Sequence, residues 1–454
     1  MHRSSVISLL AVLLSVTSAC TASGNPGQQA KDLSVGAGQE YTRIEAALAA
    51  AHAGDTILVY PREGNRPYEG VTLYVTCPRI TIRAVNGEGR RIQLCGRGTD
   101  YSGRGAVPRA IVQFNRGADD CRIEGFELTG AHNESHNGAG IRINQANRVS
   151  VLGCEIHHND MGIMSNGDGT PEAAVDQRIE DCLIHSNGDV SRPGYSHNLY
   201  LGGTSATLVG CEIRSSLVGH NVKSRCHRIA VMACYVHDSA NREFDLVDAA
   251  TDTARPGSDA VLVGNIIVKS RTCSGNRNVV HFGQDGGNEH NGTLYLVHNT
   301  ILTPYITPVV DVSAAGARVQ FYNNIIWDGG TRGGGQQLIR VSGDTDVTHA
   351  VSGAANWVSH GFTDSARMLG GLEGTFIAGP GVGPPSADSE KGDFRLTGRA
   401  QGIVDNGAIL PADILQGIGG PLLQYQAQQH AEERPVDAKP DLGAYEWARK
   451  IGGE

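Results

Sequence analysis

From about residue 120 the apolar residues fall into files rather than helical periods. Put Cys154, Cys182, Cys211, Cys234, Asn265, Asn299 and Asn324 in one file. Two residues on stand Ile156, Ile184, Ile213, Val236, Ile267, Ile301 and Ile326, and three residues earlier stand Val151, Ile179, Leu208, Val231, Leu262, Leu296 and Phe321. The spacings of 28, 29, 23, 31, 34 and 25 residues vary, yet both flanking files are wholly apolar, so the variation belongs to loops. Phe126, with Ile123 and Leu128, starts the series. Each unit predicts two short strands around the Cys/Asn position and a third strand after a loop. Three strands per turn, with like residues stacked between turns, predict an all-β chain: a right-handed parallel β-helix of about ten coils. Ahead of it, Tyr41–Ala53 has an amphipathic helical pattern suited to capping the open end, and Asp55–Tyr60 reads as a strand.

Side-chain alternation on the third strand separates inside from outside. The inward pairs are Ile141/Ile143, Ile163/Ser165, Leu199/Leu201, Val222/Ser224, Phe244/Leu246, Val280/Phe282, Val310/Val312 and Ile339/Val341. Fourteen of these sixteen are apolar, which sets the register. The residues between them then face outward as one file: Arg142, Met164, Tyr200, Lys223, Asp245, His281, Asp311 and Arg340. Tyr, Lys, Asp and His on four consecutive coils span ~14 Å, given ~4.8 Å between stacked strands. Arg225 lies two after Lys223, and Glu243 two before Asp245. His197-Asn198 and His220-Asn221 are the same dipeptide one coil apart, so the two imidazoles are expected to stack. Loops 186–196, 249–258, 270–277 and 284–292 flank these coils and can wall a groove.

Composition narrows the picture. Gly is 60 of 454 residues, roughly 13% against ~7% in average proteins. Without a G-X-Y period this is not collagen, and many glycines with 5% aromatic residues favour a β-rich or solenoid architecture over a helical bundle. Length alone suggests two or three domains, but the files make residues 34–360 one elongated body. Residues 361–454 form an irregular tail with Pro380, Pro384 and Pro385. The net charge is −9, and no basic block is interleaved with aromatics, which argues against a nucleic-acid partner. Residues 1–20 read as a signal peptide, followed by a flexible tether over 21–33. Thr17-Ser18-Ala19-Cys20 resembles a bacterial lipobox without its usual Leu. The expectation is export as an outer-membrane or cell-surface lipoprotein anchored at Cys20, or release to the periplasm or medium after cleavage at Ala19 or Ala22. The other nine cysteines are an odd number without a C-x-x-C spacing, and are expected to be mostly reduced, buried wall residues.

The entry segment VGAGQEYTRIEAALAAAHAGDTILVYPREG, the repeats, and the tail segments DFRLTGRAQGIVDNG and DLGAYEW resemble the pectate-lyase-like superfamily of parallel β-helices. That resemblance covers about 34–447 and is specific for fold, less so for reaction. It implies an extracytoplasmic enzyme acting on an acidic polysaccharide, in which a uronate is cleaved by β-elimination along one strand face. The chemistry requires neutralisation of the carboxylate, a base for the C5 proton and an acid for the leaving oxygen. Arg225 suits the carboxylate, Lys223 or His281 the base, and Tyr200 or His220 the acid. An Asp beside Lys223 would hold it protonated and favour His281. His197, Asn198, His220, Asn221, Glu243, Asp245 and Arg142 are the expected substrate-binding residues. Many relatives use Ca²⁺, for which Asp245, Asp248 and Asp285 are the available carboxylates. The alternatives are a glycoside hydrolase using Glu243 and Asp245, a uronate epimerase, and a non-catalytic carbohydrate-binding protein. The chain is expected to be a monomer.

Overall fold

The computed structural model describes residues 29–87, 89–105, 107–330, 335–342, 350–362, 374–378, 385–397, 402–435 and 439–447. The leader, Cys20, most of the tether, Pro380 and Pro384 lie outside these residues. The chain winds as a right-handed parallel β-helix with three strands per coil. One coil shows the order: Ser150–Leu152 on the second sheet, Glu155–His157 on the third, Met161–Asn166 on what we call the site sheet. The apolar files are the stacking registers. Val151, Ile179, Leu208, Val231, Leu262, Leu296 and Phe321 are successive pairing partners. So are Ile156, Ile184, Ile213, Val236, Ile267, Ile301 and Ile326. All of them are buried and fill the barrel.

The sharp corner between second and third sheets sits just before each Cys or Asn, where Gly153, Asp181, Gly210, Ala233, Gly264, His298 and Asn323 adopt left-handed backbone. Gly264 serves a second need, because a Cβ there would lie 2.3 Å from the Leu423 carbonyl of the tail. The asparagines that follow form a buried amide ladder. Asn265 donates to Asn299 Oδ1 (3.0 Å), Asn299 to Asn324 (3.1 Å) and Asn324 to Asn356 (2.9 Å). Of the nine cysteines in the described residues, eight are buried and Cys95 is half-buried.

At the N-terminal end the helix is shorter than its amphipathic pattern, Ile44–Ala50, and packs Ile44 and Ala47 against the first strands. The strand after it is Thr56–Val59. The tail helix Ala412–Ile418 sets Leu410, Ile414 and Ile418 on the outer face of the second sheet, against Val261, Val263 and Val297. Phe394, Tyr425 and Ala444 cover Ile266 on the third sheet. No helix among the described residues is long and apolar enough to cross a membrane.

Candidate functional site

The outward file of the site sheet is continuous. Strand pairing places Tyr74, Gln113, Arg142, Met164, Tyr200, Lys223, Asp245, His281, Asp311 and Arg340 one above another. In two adjacent coils the site strand runs without interruption into the second sheet, as Leu199–Val209 and Val222–Met232. Those two eleven-residue strands pair along both sheets and give Tyr200, Lys223 and Arg225 a rigid base.

Asp245 is the hub. It is 1% exposed, accepts hydrogen bonds from three side chains and has a fourth, His220, close by. His281 Nδ1 (2.9 Å) and Arg242 (2.9 Å) reach Oδ1, while Lys223 Nζ (2.8 Å) and His220 Nε2 (3.3 Å) reach Oδ2. Burial alone would raise its pKa, but these partners hold its carboxyl well below the usual carboxylate range. Nδ1 of His281 donates to the Asp245 carboxylate, and its Nε2 faces Ser313 Oγ at 2.7 Å. Ser313 Oγ in turn receives the Gln284 N–H at 2.7 Å. Both nitrogens of His281 are therefore engaged.

A second carboxylate, Asp285, lies on the solvent side. It accepts from Lys223 Nζ at 2.9 Å and touches Arg225 Nη2. Lys223 loses from burial but gains more from Asp245 and Asp285, so its pKa is raised and it stays an ammonium. Arg225 donates Nε–H to the Tyr200 oxygen at 3.0 Å and Nη1–H to the Asp248 carbonyl. The Lys223 ammonium also sits 5.9 Å from the centre of the Tyr200 ring. Asp248, fully buried, ties down the loop that carries Asp285. Its carboxylate accepts the N–H groups of Asp285 (2.5 Å), Gly286 (2.9 Å) and Asn288 (2.7 Å). Against the penalty of burial, those bonds lower its pKa to about 2.

The structure thus brings together Tyr200, Lys223, Arg225, Asp245 and His281, and it corrects several other expectations. Asn198, Asn221 and Glu243 are fully buried; they belong to a second interior ladder and cannot touch substrate. Asn159, Asn187, Asn198 and Asn221 pass amide hydrogen bonds from one to the next through the interior, ending on Glu243 at 2.6 Å. Glu243 then pairs with the wholly buried Lys269 at 3.6 Å. It does not share the face of Asp245, which removes the Glu243/Asp245 pair on which the hydrolase alternative rested. His197 and His220 do stack, with centroids 5.0 Å apart, but they are buried beneath the file. Nδ1 of His197 accepts the His220 N–H (3.0 Å) and Nδ1 of His220 accepts the Arg242 N–H (3.2 Å). Desolvation, first of all, lowers both pKa values, that of His220 to about 3, so they are neutral and neither is an acid for substrate. Arg142 lies two coils before Tyr200 and reaches Met164 Sδ (3.2 Å) and Asn166 (3.1 Å). Arg340 clamps Asp311 through both carboxylate oxygens, at 3.0 and 2.6 Å.

The three aspartates do not fit a calcium site. The oxygens of Asp245 face four N–H donors, those of Asp248 face backbone N–H groups, and Asp285 is held by two cations. A divalent cation there would meet positive hydrogens rather than lone pairs. Nor is the site an unmatched basic patch, since Lys223, Arg225 and Arg242 stand against Asp245, Asp248 and Asp285.

Sequence reasoning missed Arg242 and Ser313, and took Asp285 only as a possible metal ligand. All three sit just outside strands, where alternation gives no orientation. Stacking still offered a signal, because Ser313 follows the strand one coil after His281. Concavities elsewhere are differently built. One of about 550 Å³ lies over the third sheet, walled by Tyr235, Trp327 and Glu390. The acid–base groups converge instead on the outer side of the site sheet, where Tyr200, Arg225 and Asp285 are the partly exposed members.

No protein-family model matches the chain, and no curated protein matches it. Among solved structures it is similar to the pectate lyase Pel9A, with a TM-score of 0.49 and 13% identity over 92% of this chain and 97% of that one. It is also similar to an alginate lyase from Paenibacillus sp. strain FPU-7, with a TM-score of 0.38 and 20% identity over 64% of this chain and 95% of that one. A third is pectin methylesterase from carrot, with a TM-score of 0.32 and 11% identity over 79% and 89%. The chain's own strand pairing makes it a parallel β-helix.

Proposed function

We propose that this chain cleaves a uronate-containing polysaccharide by β-elimination on the site face. The observation that carries the reading is the Tyr200 oxygen, half-buried at the surface, gripped by Arg225 and set beside an ammonium that two aspartates keep charged. Lys223 and Arg225 neutralise the sugar carboxylate, which acidifies the C5 proton. Tyr200 takes that proton, with the Arg225 guanidinium stabilising its phenolate. The C5–H electron pair becomes the C4=C5 double bond, the C4–O4 bond breaks, and the proton passes from Tyr200 to O4. This assigns proton transfer to Tyr200, not to Lys223, which is locked as a cation, nor to His281, whose nitrogens are both engaged. His281 and Asp245 are positioning residues that hold Lys223 in place.

Supporting this reading are the parallel β-helix fold and the placing of the Lys223 and Arg225 cations beside the Tyr200 oxygen. Incubation with a panel of acidic polysaccharides tests it, since elimination makes an unsaturated uronate that absorbs in the ultraviolet. Epimerisation would start with the same proton transfer and leave the chain length unchanged. A non-catalytic binder would retain polymer without turnover.

A further inference from the structure

Asp285 differs from the other carboxylates of the site. Asp245 and Asp248 are buried, whereas the Asp285 side chain is 42% exposed. Lys223 keeps one permanent buried partner, Asp245, and Arg225 keeps two, the Tyr200 oxygen and the Asp248 carbonyl. Asp285 is the solvent-facing partner that the two cations share. Its backbone is fixed by Asp248, so the side chain can swing away without moving the loop.

We infer that Asp285 holds the place of the substrate carboxylate and that an incoming uronate displaces it. This deepens the lyase reading and rests on the site face being the uronate site. The exchange replaces one carboxylate with another, so both cations remain paired. A neutral sugar cannot drive it, because moving Asp285 would then leave Lys223 and Arg225 without a carboxylate between them. Asp285 is therefore a specificity-determining residue: it sets a penalty that only a carboxylate-bearing sugar offsets.

The test uses the full chain and two unreactive monosaccharides, glucuronate and glucose, with binding followed by calorimetry. In Asp285→Asn the place-holder loses its charge but keeps its size, and Asp285→Ser serves if that variant folds poorly. Glucuronate should bind on the order of tenfold or more tightly than to the wild type, the worth of one removed charge-assisted competitor. Binding of glucose should stay weak in both. Unchanged or weaker glucuronate binding in a variant with wild-type thermal stability would overturn the inference. Failure of the lyase reading looks different. Tighter glucuronate binding with no elimination on any polymer would sink the reaction but leave the carboxylate clasp standing.

Discussion

The ammonium of Lys223 and the carboxylate of Asp245 lie 2.8 Å apart on adjacent coils, and both residues are more than nine-tenths buried. Arg242 and His281 complete the shell around the same carboxylate. Removing one member of a buried, hydrogen-bonded pair strands the others, at a cost of about 3–5 kcal/mol. Asp245→Ala should therefore lower the free energy of denaturant unfolding by about that much. Asp245→Asn, which keeps one acceptor oxygen, should cost less.

The stacked imidazoles of His197 and His220 set an acid limit. Both are held neutral by burial, His220 down to about 3, while an unfolded His titrates near ~6.5. Below that value the unfolded chain takes up protons that the folded chain refuses, so stability falls as pH falls. The expected slope is ~1.4 kcal/mol per pH unit for each such His. His132, raised by its bond to Asp160, works in the opposite sense. The variant His220→Gln isolates one contribution. Between pH 4.5 and 6, its unfolding free energy should depend on pH by one such increment less than the wild type.

Much of this geometry was legible because stacking converts spacing into contact. The file Tyr200, Lys223, Asp245, His281 followed from fourteen apolar neighbours fixing the alternation, and pairing reproduces it residue by residue. Alternation ends where the strand ends, and there the reading failed. Asn198, Asn221 and Glu243 stand one residue ahead of their strands, at the corner, where the chain turns their amides and carboxyl inward. Asn265, Asn299 and Asn324 were recognisable as a ladder because they share a file with cysteines. Asn198 and Asn221 carried the same chemistry next to histidines, and that company suggested a binding surface.

The interior ladder makes its own prediction. Asn299 accepts from the Asn265 amide and backbone N–H (both 3.0 Å), and donates to Asn324 and to the Leu262 carbonyl (2.8 Å). Asn299→Ala leaves these groups buried without partners, each costing about 1–3 kcal/mol. Asn299→Cys should be milder, since Cys234 occupies the same file one coil before Asn265. Urea unfolding midpoints in the order wild type, Cys, Ala would bear this out.

Glu243 separates the structural role from a hydrolytic one. Buried against Lys269, it should matter for stability and not for turnover. Glu243→Gln is expected to unfold at lower denaturant while the folded fraction keeps activity within about twofold, where loss of a general acid or base typically costs ~10²–10⁴-fold.

The most direct test follows ultraviolet absorbance and reducing ends together while the wild type and Tyr200→Phe act on polygalacturonate and alginate. If Tyr200 moves the proton, the wild type raises both signals. The variant, folded and equally stable, should then be slower by ~10²–10⁴-fold. Reducing ends without the absorbance, or a Tyr200→Phe enzyme as fast as the wild type, would contradict the account.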